Sequence, residues 1–226
     1  MSESKTTVSL PVTRAEPGNP AAMQAGQAGG SVAGVEGVTA ASLVGIGASA
    51  GGIEALRQLF SHLPADTGLA FIVIQHLDPG GPSLLAKVLA ADTRMPVVEV
   101  SEGICPAPNS IYVIPPHADV GIDRGILSLI PRSQTRSLHL PIDSFLRMLA
   151  DDQPGSAIGV VLSGSGSDGT EGLRAIKAAG GITFAQHPDS AQFRSMPDSA
   201  IAAGVVDFRL SPGDIARELA RLGHDP

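Results

Sequence analysis

The sequence predicts an α/β fold: a doubly wound, mostly parallel sheet flanked by helices in three layers, Rossmann-like, with one small antiparallel hairpin. Three observations predict it. Continuous apolar runs such as LAFIVIQ (69–75) and AIGVVLSG (157–164) lack polar alternation, as strands covered on both faces do. These runs alternate with segments of helical period, the signature of strand–helix–strand units. The chain has 226 residues, 43% of them hydrophobic, which suffices for one domain with a full core and is short for two.

The elements follow in order. Residues 1–40 read as a disordered leader, because PGNPAAMQAGQAGGSVAGVEG has almost no large apolar side chains to offset its ordering entropy. The folded domain is expected over 41–226. SLVGIG is a first buried strand, and a helix follows from Gly52 with Ile53, Leu56, Leu59 and Leu63 on one face. LAFIVIQ is the second strand. Pro82 at a first helical position opens SLLAKVLA. PVVEV (96–100) and IYVI (111–114) are strands, and ADVGIDRGILSLI is a hairpin turning at Asp123-Arg124-Gly125. PIDSFLRMLADD is a helix with Ile142, Phe145, Leu146 and Leu149 inward. After the strand in AIGVVLSG comes a Gly-rich turn and the helix TEGLRAIKAAG, closed by Gly180 and Gly181. ITFAQ is a strand, SMPDSAIAAG a short helix with a glycine stop, and Ser211-Pro212 opens a last helix carrying Ile215, Leu219 and Leu222.

Composition narrows the function. A net charge of −7, aromatic content of 3% and no Lys/Arg cluster argue against a nucleic-acid binder, which must neutralise phosphates. The single Cys105 excludes an internal disulfide and a Cys-based zinc site, fits a reducing compartment, and reads as a small buried hydrophobe. MSESKTTVSLPVTRAEPGNP lacks the apolar core of a secretory signal, and no apolar run is long enough to span a bilayer. The expectation is a cytoplasmic protein that needs no cofactor or metal and does not insert into membranes.

Ligands of open α/β sheets bind beyond the carboxyl ends of the strands, so chemistry is sought there. The turn GIGASAGG fits two templates. As Gly45-x-Gly47-x-x-Ala50 it is a phosphate-cradling dinucleotide turn. As Gly47-x-Ser49-x-Gly51 it is a nucleophile turn with Ser49 at its apex. A dinucleotide site needs an acid at the end of the second strand to hold the ribose; Gln75-His76 stands there instead. The nucleophile reading uses that imidazole. His76 takes the proton from Ser49, Asp168 holds the second ring nitrogen, and the helix after Ser49 offers free N–H groups to a developing oxyanion. Each residue also has a plainer reading: Ser49 or Asp168 as a helix cap, His76 as a structural histidine. Their joint occurrence at strand ends favours chemistry. His117 with Asp119 is a second strand-end pair, and Asp78 lies close to His76 across one turn residue. His62, His139, His187 and His224 lack this context. The order Ser, His, Asp does not fit the α/β-hydrolase fold, where Asp precedes His. A nucleotide-binding domain and a signalling module without turnover are the alternatives.

Six segments, VGIGASAGGIEALRQL, VIQHLDPG, PNSIYVIPP, LPIDSFLRMLA, IGVVLSGSGSDGTEGLRAIKAAGG and SMPDSAIAAG, in this order and spacing, closely resemble the catalytic domain of the chemotaxis protein-glutamate methylesterases (CheB). The resemblance runs from about residue 43 to the last helix. It implies hydrolysis of γ-glutamyl methyl esters on methyl-accepting chemotaxis receptors with release of methanol, and in many members deamidation of receptor glutamine. It implies a Ser-His-Asp triad whose nucleophile falls on Ser49, base on His76 and acid on Asp168. Backbone amides at Ala50 and Ser165 border the oxyanion site, where chemotactic members often carry Thr and Met. The partners implied are the cytoplasmic domain of such receptors and a receptor methyltransferase of the same pathway. Many members begin with a receiver domain. The stretch before residue 41 is too short for one, so the chain resembles the type that stands alone or is fused to the methyltransferase.

Overall fold

A computed structural model describes residues 42–76, 84–132 and 139–224. The expected leader over 1–40, Asp78 and Pro82 lie outside the described residues. In chain order the elements are β1 (Leu43–Ala48), α1 (Gly52–His62), β2 (Ala70–Gln75), α2 (Leu85–Ala90), β3 (Val97–Glu99), β4 (Ser110–Val113), β5 (Ala118–Asp123) and β6 (Ile126–Pro131). Then follow α3 (Pro141–Asp152), β7 (Ile158–Val161), α4 (Thr170–Ala178), β8 (Ile182–Gln186), α5 (Ser195–Ala202), β9 (Phe208–Leu210) and α6 (Pro212–His224). Seven strands form one parallel sheet in the order β3-β4-β2-β1-β7-β8-β9, and β5 pairs with β6 as the expected antiparallel hairpin.

The continuous apolar runs become central strands for the reason the sequence suggests: β1, β2, β4 and β7 are buried along their whole length. Alternate residues feed two cores. Val44, Ile46, Ala48, Phe71 and Val73 pack with Leu56, Leu59, Leu89 and Leu219 of α1, α2 and α6. Leu43, Ala70, Ile72 and Ile74 pack on the other face with Phe145, Leu146, Leu173 and Met196 of α3, α4 and α5 and with Leu127 of the hairpin. Gly45 and Gly47 face α3. A Cβ on Gly45 would lie 2.5 Å from Leu146 Cδ2, and one on Gly47 would lie 2.3 Å from Ile142 Cγ2. These two glycines serve close helix–sheet approach rather than an unusual backbone angle.

The strand order reverses at β1. From β1 the chain passes to β2, then to the edge strand β3 and back to β4 between them, before restarting at β7 on the other flank. The carboxyl ends of β2, β1 and β7 therefore lie side by side at the switch point, where such folds bind ligands.

Several expectations are corrected. The buried face of α1 is Ala55, Leu56, Leu59 and Phe60, whereas Ile53 is 44% exposed. Ile53 sits in the first turn of α1, outside the face that packs on the sheet. Leu63 is buried but follows the helix end, and α2 begins at Leu85. Leu222 is only partly buried near the end of α6. Cys105 is exposed: it lies in the irregular link between β3 and β4, outside either core. Strand β9 is an addition to the expected elements. It is a three-residue edge strand with Arg209 at its centre, so it shows no apolar run.

Candidate active site

Ser49 follows β1 directly. Its N–H donates to Ser163 O at the end of β7 (3.0 Å), and His76 N–H donates to Ala48 O (3.2 Å). The ladder thus continues one step past the named strands on both sides and fixes the backbone of Ser49 and His76. The chain then turns sharply into α1 through Gly51, whose φ of 67° is left-handed. A side chain at 51 would also come within 2.9 Å of Ser163 Oγ. Gly51 therefore has both a conformational and a steric reason to be glycine.

Ser49 Oγ lies 3.1 Å from His76 Nδ1, and His76 Nε2 lies 2.8 Å from Asp168 Oδ2. The imidazole that hydrogen-bonds a carboxylate through Nε2–H leaves the Nδ1 lone pair free to accept from the serine hydroxyl. The ring is used in the opposite sense to the trypsin-like triad, where Nε2 meets the serine. The tautomer requirement is the same: the carboxylate holds one N–H so that the other nitrogen can take a proton.

Asp168 is 2% exposed and fully engaged. Beyond His76 it accepts from Ile142 N (3.1 Å, Oδ2) and Asp143 N (2.9 Å, Oδ1), the first-turn amides of α3. It does cap a helix, in keeping with its plainer reading, but that helix is α3 rather than α4. Asp143 returns the arrangement by accepting from Gly172 N in the first turn of α4 (2.8 Å). Each helix start is therefore satisfied by a carboxylate from the other. Asp143 is 5% exposed. Burial, aided by the nearby Asp168, pushes its carboxyl above the usual range, and the N–H groups of Gly172 and Gly169 only partly offset this.

The remaining predicted residues are placed as follows. Ala50 follows Ser49, and Ser165 is exposed after Gly164, where an added Cβ would stand 3.0 Å from Ser49 Cβ. Neither the N–H of Ala50 nor that of Ser165 donates to any partner among the described residues. His117 is exposed and makes no hydrogen bond or ion pair with Asp119 among the described residues; Asp119 pairs instead with His139 Nε2 (2.8 Å) and Arg132 Nε (3.4 Å). The weaker strand-end pair is thus replaced by a surface ion cluster. The position of Asp119 within β5 turns it toward the residues just before α3.

Two site residues escape a sequence reading that looks for nucleophiles, bases and acids. Ser163, 1% exposed, donates from Oγ to Ala50 O (2.9 Å) and accepts from Phe193 N (3.0 Å). It ties the turn after Ser49 to the segment before α5. Gln75, 4% exposed, donates from Nε2 to Ser49 O (2.9 Å). Their signal is one polar residue closing an otherwise apolar strand run. A cleft of about 800 Å³ between the ends of α1 and α2 contains none of these residues and opens at the amino edge of the sheet. The serine instead sits partly exposed at the carboxyl edge. Among the described residues no group of acidic, histidine and cysteine side chains could hold a metal, and no helix is long and apolar enough to cross a membrane.

Residues 44–219 match the family model described as CheB methylesterase. The chain is 35% identical over 179 residues to a protein-glutamate methylesterase/protein-glutamine glutaminase of Burkholderia lata, covering 79% of this chain and 53% of that protein. A counterpart from Geobacter sulfurreducens is 32% identical over 186 residues, covering 80% and 51%. An uncharacterised 104.1 kDa protein of Rhodobacter capsulatus is 44% identical over 126 residues, covering 56% and 13%. The chain spans about half the length of the methylesterase relatives it matches. The crystal structure of the Thermotoga maritima CheB methylesterase catalytic domain superposes with a TM-score of 0.74 at 28% identity, covering 80% of this chain and 98% of that one. The sheet order, the site at its switch point and the match over 44–219 agree: the chain belongs to the CheB methylesterase family.

Proposed function

We propose that this chain is a serine hydrolase that removes methyl esters from glutamate side chains of methyl-accepting chemotaxis receptors, releasing methanol. The observation that carries the reading is the continuous relay Ser49–His76–Asp168, with contacts of 3.1 and 2.8 Å, at the carboxyl edge of a CheB-family sheet. Ser49 Oγ attacks the ester carbonyl carbon as its proton passes to His76 Nδ1. The oxyanion formed is held by the Ala50 and Ser165 N–H groups, each donor lowering the barrier by roughly 3 kcal/mol. His76 then gives its proton to the departing methoxide, and methanol leaves a γ-glutamyl ester on Ser49. Water, deprotonated by His76, attacks that ester, and His76 returns the proton to Ser49 Oγ as the receptor carboxyl group is released. Asp168 holds the ring throughout.

The same steps serve a glutamine side chain, with ammonia as the leaving group. Relatives that carry both activities in their names support deamidation as a second reaction of the one site. The partner is the cytoplasmic domain of such a receptor, which places the reaction in the cytoplasm, in a pathway shared with a receptor methyltransferase. Ser49→Ala should abolish methanol release from methylated receptor and labelling by a fluorophosphonate, with the unfolding transition unchanged. Turnover by that variant, or labelling at another residue of the wild type, refutes the assignment.

A further inference from the structure

Gln75 closes β2 opposite Ala48 and sends its side chain across to the nucleophile turn. Nε2 donates to Ser49 O at 2.9 Å, while Oε1 is buried with no hydrogen-bond partner among the described residues. Only the amide nitrogen can face a carbonyl, so the orphaned oxygen is a consequence of that one bond. Burying a polar atom unpaired is unfavourable. A methionine or leucine here would avoid the penalty and fit the apolar strand. The fold therefore gains nothing from the amide that an apolar residue would not supply, and the reason for it lies at the carbonyl it grips.

Ser49 O receives a second donor, Gly52 N, at 2.8 Å. Two donors thus fix the carbonyl end of the Ser49–Ala50 peptide. A peptide unit is planar and trans, so its N–H, carried by Ala50, points the opposite way and is fixed with it. That N–H donates to nothing among the described residues. Hydrogen bonds received by a carbonyl also polarise its peptide and make the N–H a stronger donor. Gly52 completes the arrangement: a Cβ there would lie 2.8 Å from Gln75 Oε1 and 2.6 Å from Ala48 Cβ. The missing side chain at 52 leaves room for the Gln75 amide.

We propose that Gln75 is a positioning residue that aims and polarises the Ala50 N–H as an oxyanion donor, acting through the carbonyl of Ser49. The inference rests on Ser49 being the nucleophile. Its mark is an effect on the chemical step alone. Removing an oxyanion donor outright costs about 10²- to 10³-fold in kcat. Misaiming one should cost less, about 10- to 100-fold.

The test uses the whole chain and methylated receptor cytoplasmic domain. Gln75→Met should lower kcat by that factor and leave KM within about twofold, as expected for an interaction made only in the transition state. Gln75→Glu supplies the second reading. As a carboxylate it has no proton to donate to Ser49 O; once protonated, it does. Burial raises a carboxyl pKa, so the ratio of Gln75→Glu to wild-type kcat should climb as pH falls from about 8 to about 6. Taking the ratio cancels ionisations common to both enzymes. Wild-type kcat in Gln75→Met, a loss carried by KM, or a ratio flat in pH overturns the proposal. If Gln75→Met does not fold, the pH ratio decides alone. A wild type that neither turns over nor labels at Ser49 removes the nucleophile reading and this inference together; an active wild type with indifferent Gln75 variants removes only the inference.

Discussion

Gly47→Ala tests whether the helix seated on β1 governs the site. On the native backbone, the new Cβ would stand 2.3 Å from Ile142 Cγ2, 3.0 Å from Cδ1 and 3.1 Å from Cγ1. Carbon atoms settle near about 3.5–4.0 Å, so Ile142 must retreat by more than an ångström. Its side chain is fully buried and cannot swing into solvent. The first turn of α3 must therefore move with it. Overpacking of this kind costs about 1–3 kcal/mol. Alanine recovers roughly 0.5–1 kcal/mol by restricting the unfolded chain, leaving a net loss of about 0–2.5 kcal/mol. The same turn carries Ile142 N and Asp143 N, which hold Asp168, so the displacement reaches His76. A misplacement of about 1 Å can cost as much as 10²-fold in rate. Ile142→Ala alone should cost about 2–5 kcal/mol by leaving a cavity. The double variant places a methyl in that cavity and should be more stable than the sum of the singles implies by at least about 1 kcal/mol. Urea denaturation gives the three free energies, and methanol release gives kcat. A Gly47→Ala protein more stable than wild type, or strict additivity in the cycle, refutes the packing argument.

Asp168 and Asp143 are expected to separate chemistry from stability. Asp168→Asn keeps one acceptor for α3, able to serve Asp143 N, but loses the second and with it the carboxylate that orients His76, so kcat should fall by up to about 10⁴-fold with a smaller loss of stability than truncation to alanine. Asp168→Ala should add about 1–3 kcal/mol of destabilisation by leaving the amides of Ile142 and Asp143 without their acceptor; equal stability of the two variants would show that those bonds do not hold α3. For Asp143, burial raises the carboxyl in the folded state above its unfolded value. Its contribution is then greatest below the unfolded pKa and declines as pH rises through the folded one. Asn retains an acceptor for Gly172 N without the charge. The stability of Asp143→Asn relative to wild type should therefore improve from acid to neutral pH. Denaturation midpoints that diverge in the other direction, or stay parallel, would contradict the assigned cause.

The architecture is legible in the sequence where burial is uniform. LAFIVIQ and AIGVVLSG become strands because nothing polar interrupts them, and the two-sided cover follows. FRL at β9 escapes notice because an edge strand is half solvated and need not be apolar. The candidate site is legible at the residues whose chemistry is rare at strand ends, a serine, a histidine and an aspartate, which the structure brings within hydrogen-bond distance of one another. It is not legible at Gln75, Ser163 and Asp143. Each acts by bonding a backbone group from a distant segment, and a backbone group has no residue letter. In the sequence, Gln75 and Ser163 look like polar punctuation at the ends of two runs, and Asp143 looks like an acidic residue in a first helical turn. Only the register that sets β2 and β7 on either side of β1 shows which amide each one reaches.

The glycines of GIGASAGG divide by cause in the same way. Gly51 alone adopts a left-handed angle among Gly45, Gly47, Gly51 and Gly52. Gly45 and Gly47 admit α3, and Gly52 admits the Gln75 amide. A dinucleotide turn and a nucleophile turn share this spelling because both need a strand to enter a helix abruptly under a close-packed neighbour. The difference between them lies in what the adjoining strands deliver. Here β2 delivers an imidazole and a carbonyl-gripping amide, and β7 delivers a hydroxyl that bonds Ala50 O and a loop ending in Asp168. Every one of these side chains meets Ser49, its flanking peptides or His76. None is placed as the ribose-holding acid that a nucleotide would require at the end of β2.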